Sequence, residues 1–380
     1  MPFEQSALKG GDARPARHIL AAKFRNERAG RFSIICDEFF AVMDLREYNH
    51  IGGHFSCPVW LSSQRINDIP FGGKTKRNRE GRHSMRLLRA ATITVSDLNR
   101  AVDNYARFLD YAPVENGEVD ADLAQSWGAP AVAGRRYAIM QPASGAAIYL
   151  RFVEQEPHPD YQPLRSYGWN CIEICVQDVI AANARMEQSP FEIIGPPREL
   201  DGLLAIFPMQ VKGPDGEIVY LTQIRDDLPD YNLPRAASLI DKLFIFVMGC
   251  SDLDASVEWM AKHAGVETGR FMEIEYTMIA KAYDLPVEQK HRIATMIHER
   301  DVFLELDQYP DGAVDRAQHT DMLPPGCAIG TLWTPSFDAL PGPWITPPSH
   351  RKGPIYKGRR SATVKDPDGA LVEIVEGETN

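Results

Sequence analysis

Between Arg89 and Tyr111 the chain alternates and then changes its period. Ala91, Ile93 and Val95 alternate with Ala90, Thr92 and Thr94, the two-residue repeat of a strand with one apolar face. Ser96 and Asp97 supply N-cap chemistry, and beyond them Leu98, Ala101, Val102, Tyr105, Phe108 and Leu109 recur at helical spacing. The same switch returns at Ile172–Met186, turning at Val176-Gln177-Asp178, and at Leu243–Ala264, turning at Cys250-Ser251-Asp252-Leu253. Asp97 and Asp178 are 81 residues apart, and Asp178 and Asp252 are 74 apart, so the chain repeats a unit of roughly seventy-five residues.

Each unit also predicts a closing strand with a polar residue inside an apolar run: Ile148–Glu154, Ile218–Ile224, Val302–Asp307 and Leu371–Glu376. Two of these follow turns of one type, Gly213-Pro214-Asp215-Gly216 and Asp366-Pro367-Asp368-Gly369, where Pro presets φ and Gly accepts a positive one. In the first unit Tyr137–Met140 and Ala147–Val153 supply the later strands. Pro157–Pro163 and Asp226–Ala236 read as linkers on either side of the second unit. The third unit carries an insert, Met272–Arg292, predicted to add a helix around Val287–Ile297. Residues 324–354 hold eight Pro and four Gly, too many for the helix of a fourth unit, so a Pro-rich loop is expected there. Only Ala328–Trp333 and Ser361–Val375 keep strand character in that unit.

Strand, helix, further strands and a polar-bearing last strand together resemble the βαβββ module of the vicinal oxygen chelate superfamily, which includes glyoxalase I, extradiol dioxygenases and bleomycin-resistance proteins. The resemblance spans about residues 86–377. It implies an α+β fold of four tandem βαβββ modules, the last degenerate, forming two paired, curved mixed sheets. Modules 1 and 2 are expected to form one domain (85–228), and modules 3 and 4 a second (236–380). Residues 1–84 show little sustained periodicity and are expected to be a disordered or loosely docked extension, with Met85 standing where a chain of this family would begin.

The net charge of −11 argues against a nucleic-acid partner. Charge is uneven: residues 1–84 carry 14 Lys and Arg against 9 Asp and Glu, the remainder 27 against 43. No apolar run is long enough for a membrane span, and the amino terminus lacks a basic-then-apolar leader. The six cysteines include no matched Cys-x-x-Cys pairs, and Cys171 and Cys175 lie about 13 Å apart along one strand. Reduced thiols in a cytoplasmic protein are therefore expected.

In the superfamily, paired modules curve their sheets round a cleft in which first and last strands hold a divalent metal that chelates two substrate oxygens. Strand alternation assigns the inward residues here. The metal positions of modules 1 and 2 map to Ala90, Cys171, Arg151 and Tyr220, a set that cannot hold a hard cation in the ordinary way. The first cleft is thus expected to be metal-free, with Arg151 clamping a carboxylate and Glu173 or Tyr220 moving a proton. A buried Arg–Glu pair filling a relict cleft is the competing reading. In the second cleft Glu305 and Glu373 occupy the last-strand positions and are the candidate ligands of one divalent metal (Fe, Mn, Zn or Ni), completed by His291 or His298 if the fold turns them inward. Met272, Met278, Met296, Phe271 and Tyr276 are candidates to line a cavity or simply the core, and His50 and His54 are read as solvated surface.

The resemblance implies a soluble enzyme acting on a small oxygenated compound, aromatic or ketone-bearing, by lyase, isomerase or dioxygenase chemistry. The alternative is a metal-free small-molecule binder of the resistance type. A small-molecule ligand is the expected partner, and a homo-oligomer is compatible with the resemblance.

Overall fold

A computed structural model describes residues 87–377 apart from Asp201, together with the backbone of three strands nearer the amino terminus. The chain divides into two units, residues 1–79 and 80–380. In the first, β1 (Lys23–Glu27), β2 (Arg31–Cys36) and β3 (Phe39–Asp44) form an antiparallel sheet in that order. Of the extension expected over 1–84, these strands are what the structure describes; His50 and His54 lie outside the described residues.

The second unit contains the four modules. Module 1 comprises β4 (Leu88–Val95), α1 (Leu98–Phe108), β5 (Tyr111–Glu118), a short α2 (Ala121–Ser126), β6 (Arg136–Pro142) and β7 (Tyr149–Glu154). Module 2 comprises β8 (Gly168–Val176), α3 (Val179–Met186), β9 (Glu192–Gly195), β10 (Ile206–Lys212) and β11 (Ile218–Ile224). Module 3 comprises β12 (Ile240–Cys250), α4 (Leu253–Ala264), β13 (Glu267–Glu275), a short α5 (Thr277–Ala282), β14 (Lys290–His298) and β15 (Asp301–Gln308). Module 4 keeps β16 (Cys327–Thr334), β17 (Ser349–His350), β18 (Arg360–Lys365) and β19 (Leu371–Glu376), with a 3₁₀ turn at Phe337–Ala339 where its helix would be. The helix expected around Val287–Ile297 is instead β14: Ile293, Thr295 and Ile297 alternate with Ala294 and Met296, and both edges of the strand are paired.

The three long helices start for one physical reason. Asp97, Asp178 and Asp252 cap α1, α3 and α4 through their side chains, as the repeated turns predict. The end of each module's last strand adds a second clamp. The amides of Leu98, Val179 and Leu253 donate to Glu154 (3.0 Å), Gln223 (3.3 Å) and Gln308 (2.9 Å). This common register makes Arg151, Tyr220 and Glu305, three residues earlier, equivalent positions, and Glu373 stands likewise three before Glu376.

Module pairing differs from the expectation. Strand β8 runs parallel to β11 on one side and antiparallel to β12 on the other, giving an eight-stranded sheet from modules 2 and 3. Strand β4 lies between β7 and β16, so modules 1 and 4 form the other eight-stranded sheet. The domains 85–228 and 236–380 are therefore not the paired units. The linker after β11 brings β12 alongside β8, which leaves the free edge of β4 to β16. One core, with Ile93, Tyr105, Ile172, Phe246, Leu304 and Ile374 among its members, spans both sheets and the three long helices. Trp169 ties the sheets together: it stacks on Phe246 at 4.3 Å, and its indole N–H donates to the Leu371 carbonyl (2.8 Å). A Cβ on Gly330 would lie 2.5 Å from the same indole, so only glycine fits there.

Two turn-to-helix clasps add polar links. Asp215, in the turn before β11, accepts from the amide (2.8 Å) and hydroxyl (2.5 Å) of Ser96 and from Arg100 (2.8 Å) at the start of α1. Asp368, in the turn before β19, accepts from the Ser251 amide (2.9 Å) and hydroxyl (2.5 Å) at the start of α4. Each clasp joins a turn of one sheet to a helix of the other.

Candidate functional site

Each paired sheet presents an inward face, and the two faces differ. On the module 1–4 face, Thr92 lies beside Arg151 in the β4–β7 register and Thr331 beside Glu373 in the β16–β19 register. Arg151 and Glu373 are 2% and 0% exposed, so the pair stands or falls on internal partners. All of them are supplied. Arg151 Nη2 lies 3.0 Å from Glu373 Oε2, its Nε donates to Thr92 Oγ1 (2.9 Å), and its Nη1 donates to the Tyr356 hydroxyl (2.5 Å). Glu373 accepts further bonds from Trp127 Nε1 (2.9 Å), Tyr356 (2.9 Å) and Thr331 (2.8 Å). Burial alone would raise the Glu373 pKa, but the Arg151 charge and these three donors outweigh it and hold the carboxyl below its usual range. Trp127, which follows α2, and Tyr356, in the loop before β18, also cover the network with apolar surface. The face thus holds a buried ion pair in which Glu373, not Glu173, is the partner of Arg151, and a cavity of about 490 Å³ bounded by Arg151, Trp127 and Tyr356 lies beside it.

The module 2–3 face is hollow. A cavity of about 640 Å³ lies over it, lined by apolar side chains such as Ile206, Phe244, Ile245, Met272 and Met278. Its polar wall gathers Glu173 from β8, Tyr220 from β11, Glu305 from β15 and Tyr276 at the entrance to α5. Tyr220 and Glu173 are register neighbours on parallel strands, and inward alternation places them side by side as predicted. The Thr222 hydroxyl donates to Glu173 Oε1 (2.5 Å), while the Tyr276 hydroxyl bridges Glu305 Oε1 (3.0 Å) and the Tyr220 oxygen (3.2 Å). No cation is paired with either carboxyl among the described residues. Burial first, and then the neighbouring Glu305 charge, push the Glu173 pKa up to about 8. Burial likewise raises Glu305 and, more strongly, Asp307 two residues further along the strand, where the Glu305 charge adds to the effect of burial.

The candidate residues thus divide otherwise than expected. Arg151 does not meet Glu173 or Tyr220 but pairs with Glu373, and Glu305 does not meet Glu373 but faces Glu173 and Tyr220. Neither set fits the metal that the fold family implies. Glu373 spends both oxygens on four donors and sits against a guanidinium. The module 2–3 carboxyls have Cys171 and Ile245 at the first-strand ligand positions, and no histidine lines their cavity. No group of three or more His, Cys, Asp or Glu among the described residues is arranged to hold a metal ion. His291 is buried on β14 with its Nε2 unpartnered, and His298 is half-buried at the end of that strand; neither lines the cavity. Met272, Met278 and Tyr276 do line it, whereas Met296 belongs to the core between sheets and Phe271 is exposed.

Sequence reasoning missed Trp127 and Tyr356, which reach the module 1–4 face from insertions without periodicity. It also missed the cations of the cavity rim, Arg198, Arg270 and Lys281. The composition of those segments carries no signal that separates such residues from ordinary surface charges.

Modules of βαβββ type joined in two paired mixed sheets are the vicinal oxygen chelate fold, and the chain has it, with the helix of module 4 reduced to a 3₁₀ turn. Glyoxalase I from Zea mays is similar over 76% of this chain and 92% of its own, with a TM-score of 0.51 at 17% identity. A Bacillus subtilis protein whose structure carries a provisional dioxygenase assignment is similar over 78% of this chain and 86% of its own, with a TM-score of 0.51 at 11% identity. At such identities the likeness is one of fold. No family model and no curated protein sequence matches the chain. No helix among the described residues is long and apolar enough to cross a membrane.

Proposed function

We propose that the chain is an enzyme of vicinal oxygen chelate fold that moves a proton on a small, oxygenated, largely apolar compound held in the module 2–3 cavity. The carrying observation is the pair of cavity-facing carboxyls, Glu173 and Glu305, set in apolar surroundings with two phenols and no counter-cation. Burial raises the pKa of both and brings Glu173 to about 8, close to where a general acid or base is most effective. Glu173, protonated at neutral pH and steadied by Thr222, donates to a substrate carbonyl oxygen. Glu305, oriented by the Tyr276 hydroxyl, takes the proton from the adjacent carbon. With an α-hydroxy ketone an enediol results; Glu305 returns the proton to the former carbonyl carbon while the other hydroxyl gives its proton to Glu173, which completes an isomerisation. Ring-opening dioxygenation is a poor fit, since it calls for two His and a carboxylate in one cleft.

Deuterium exchange tests this. The full-length protein is incubated in D₂O with a panel of α-hydroxy ketones, and loss of the carbon-bound proton is followed by NMR. Exchange that Glu173→Gln and Glu305→Gln both abolish supports the reading. A second reading, a metal-free binder, is favoured by the loss of the metal positions in both clefts; saturable binding without exchange would establish it. A stoichiometric divalent metal in purified protein, lost in Glu305→Ala, would overturn the metal-free chemistry.

A further inference from the structure

The cavity has two chemically distinct ends, and together they define what it can hold. Its inner wall is acidic and phenolic: Glu173, Tyr220, Tyr276 and Glu305. Its outer wall carries Arg198, Arg270 and Lys281, all exposed, with no ion-pair partner among the described residues. Two of these cations are fixed across the junction of the two modules. Arg198, in the loop after β9, donates to the Thr277 hydroxyl on α5 (2.6 Å), and Lys281 on α5 reaches back to the Ile194 carbonyl on β9 (3.5 Å). Glu275 and Asp230 also reach the outer wall, leaving one positive charge in excess there, in a chain whose overall charge is −11. The rest of the lining is mainly apolar, with Gln210, Tyr231, Thr277 and Thr295 as its polar side chains.

Resting on the assignment of this cavity as the functional site, we infer that its ligand is an amphipathic monoanion: an anionic group at Arg198, Arg270 and Lys281, an apolar body, and an uncharged hydroxyl or carbonyl oxygen at the inner wall. The order of the groups follows from desolvation and charge. An anion at the inner end would be buried against the carboxyls with no cation to offset it, whereas at the mouth it meets exposed guanidinium groups able to bind an oxyanion in bidentate fashion. A neutral oxygen at the inner end can accept from a protonated carboxyl or a phenol at no such cost. The apolar middle supplies affinity without regard to orientation, so the two ends set the direction in which the ligand enters.

Titration calorimetry on the full-length protein at near-neutral pH, with three ten-carbon probes, tests the inference. Omega-hydroxydecanoate has one anionic and one neutral end, decanediol two neutral ends, and decanedioate two anionic ends. Omega-hydroxydecanoate is expected to bind about tenfold or more tightly than either of the others. The Arg198→Ala/Arg270→Ala/Lys281→Ala variant should lose that advantage while leaving decanediol binding unchanged. If the triple variant is misfolded, Arg270→Gln alone, whose side chain makes no structural bond, should remove part of the advantage. Ile245→Trp, which fills the cavity, should abolish binding of all three probes. Equal binding of decanediol and omega-hydroxydecanoate, or a preference that survives loss of the three cations, would overturn the inference. Tight binding of omega-hydroxydecanoate by a protein that exchanges no protons would support it while removing the enzymatic reading.

Discussion

Glu173 keeps its proton to about pH 8 because burial and the neighbouring Glu305 charge both disfavour its ionised form. In the unfolded chain that proton leaves near pH ~4.3, so between the two values the native state binds more protons and loses stability as pH rises. Glu173→Gln removes this dependence. The variant is expected to be more stable than the parent by about 3 kcal/mol at pH 7, the two converging towards pH ~4. Urea midpoints measured across that range check it, and parallel profiles would contradict the environment described. Glu373 has the opposite sign: its lowered pKa adds stability above the unfolded value, and that contribution disappears as pH falls through the folded one. Its main debt is to Arg151. Glu373→Gln leaves a guanidinium buried without a counter-charge and is expected to cost about 3–5 kcal/mol, while Arg151→Met/Glu373→Met recovers most of the loss. Chemical denaturation of the two variants decides; a double variant as weak as the single one would show that the network does more than neutralise itself.

At the scale of elements, the Pro-Asp-Gly turns are structural contacts as much as chain reversals. Asp215→Ala removes three acceptor contacts to the start of α1, and Asp368→Ala removes two at the start of α4. Each is expected to cost about 1–2 kcal/mol, and because the clasps share no partner the two losses should add within ~0.5 kcal/mol. Thermal melts of the single and double variants measure this, and strong coupling would mean that the sheets separate together once one clasp fails. These elements were largely legible beforehand. Asp97, Asp178 and Asp252 each stand where period two gives way to helical spacing, and that local signal survives folding because the cap bond is itself local. Inward alternation likewise put Tyr220, Glu173 and Glu305 on cleft faces. The segment 290–298 misled: Ile293, Met296 and Ile297 stand at helical spacing, and pairing with β13 and β15 made the segment a strand. Tyr276 and Tyr356 arrive from irregular segments, where no period exists to say which way a side chain turns.

Module partnership was the part the chain could not declare at the scale of the whole molecule. Strands β4, β8, β12 and β16 are all apolar runs with a free edge, so local pattern permits any of them to meet; linker reach and the shared core select β8 with β12 and β4 with β16. Each eight-stranded sheet consequently draws one module from either half of the sequence, and Trp169 anchors both sheets to one another. Cutting the chain in the linker 226–236 should therefore yield no independently folded half, although the cut lies between modules. Expressed alone, each fragment would expose both an unpaired first strand and its share of the common core. Neither is expected to show a cooperative thermal transition, and mixing them should restore a one-to-one complex with the near-ultraviolet signature of packed Trp169 and Trp127. Size-exclusion chromatography with circular dichroism reads both outcomes. Two fragments that each unfolded cooperatively as monomers would mean that modules 1 and 2 can close a sheet by themselves, and with it that Glu173 and Glu305 need not share a cavity.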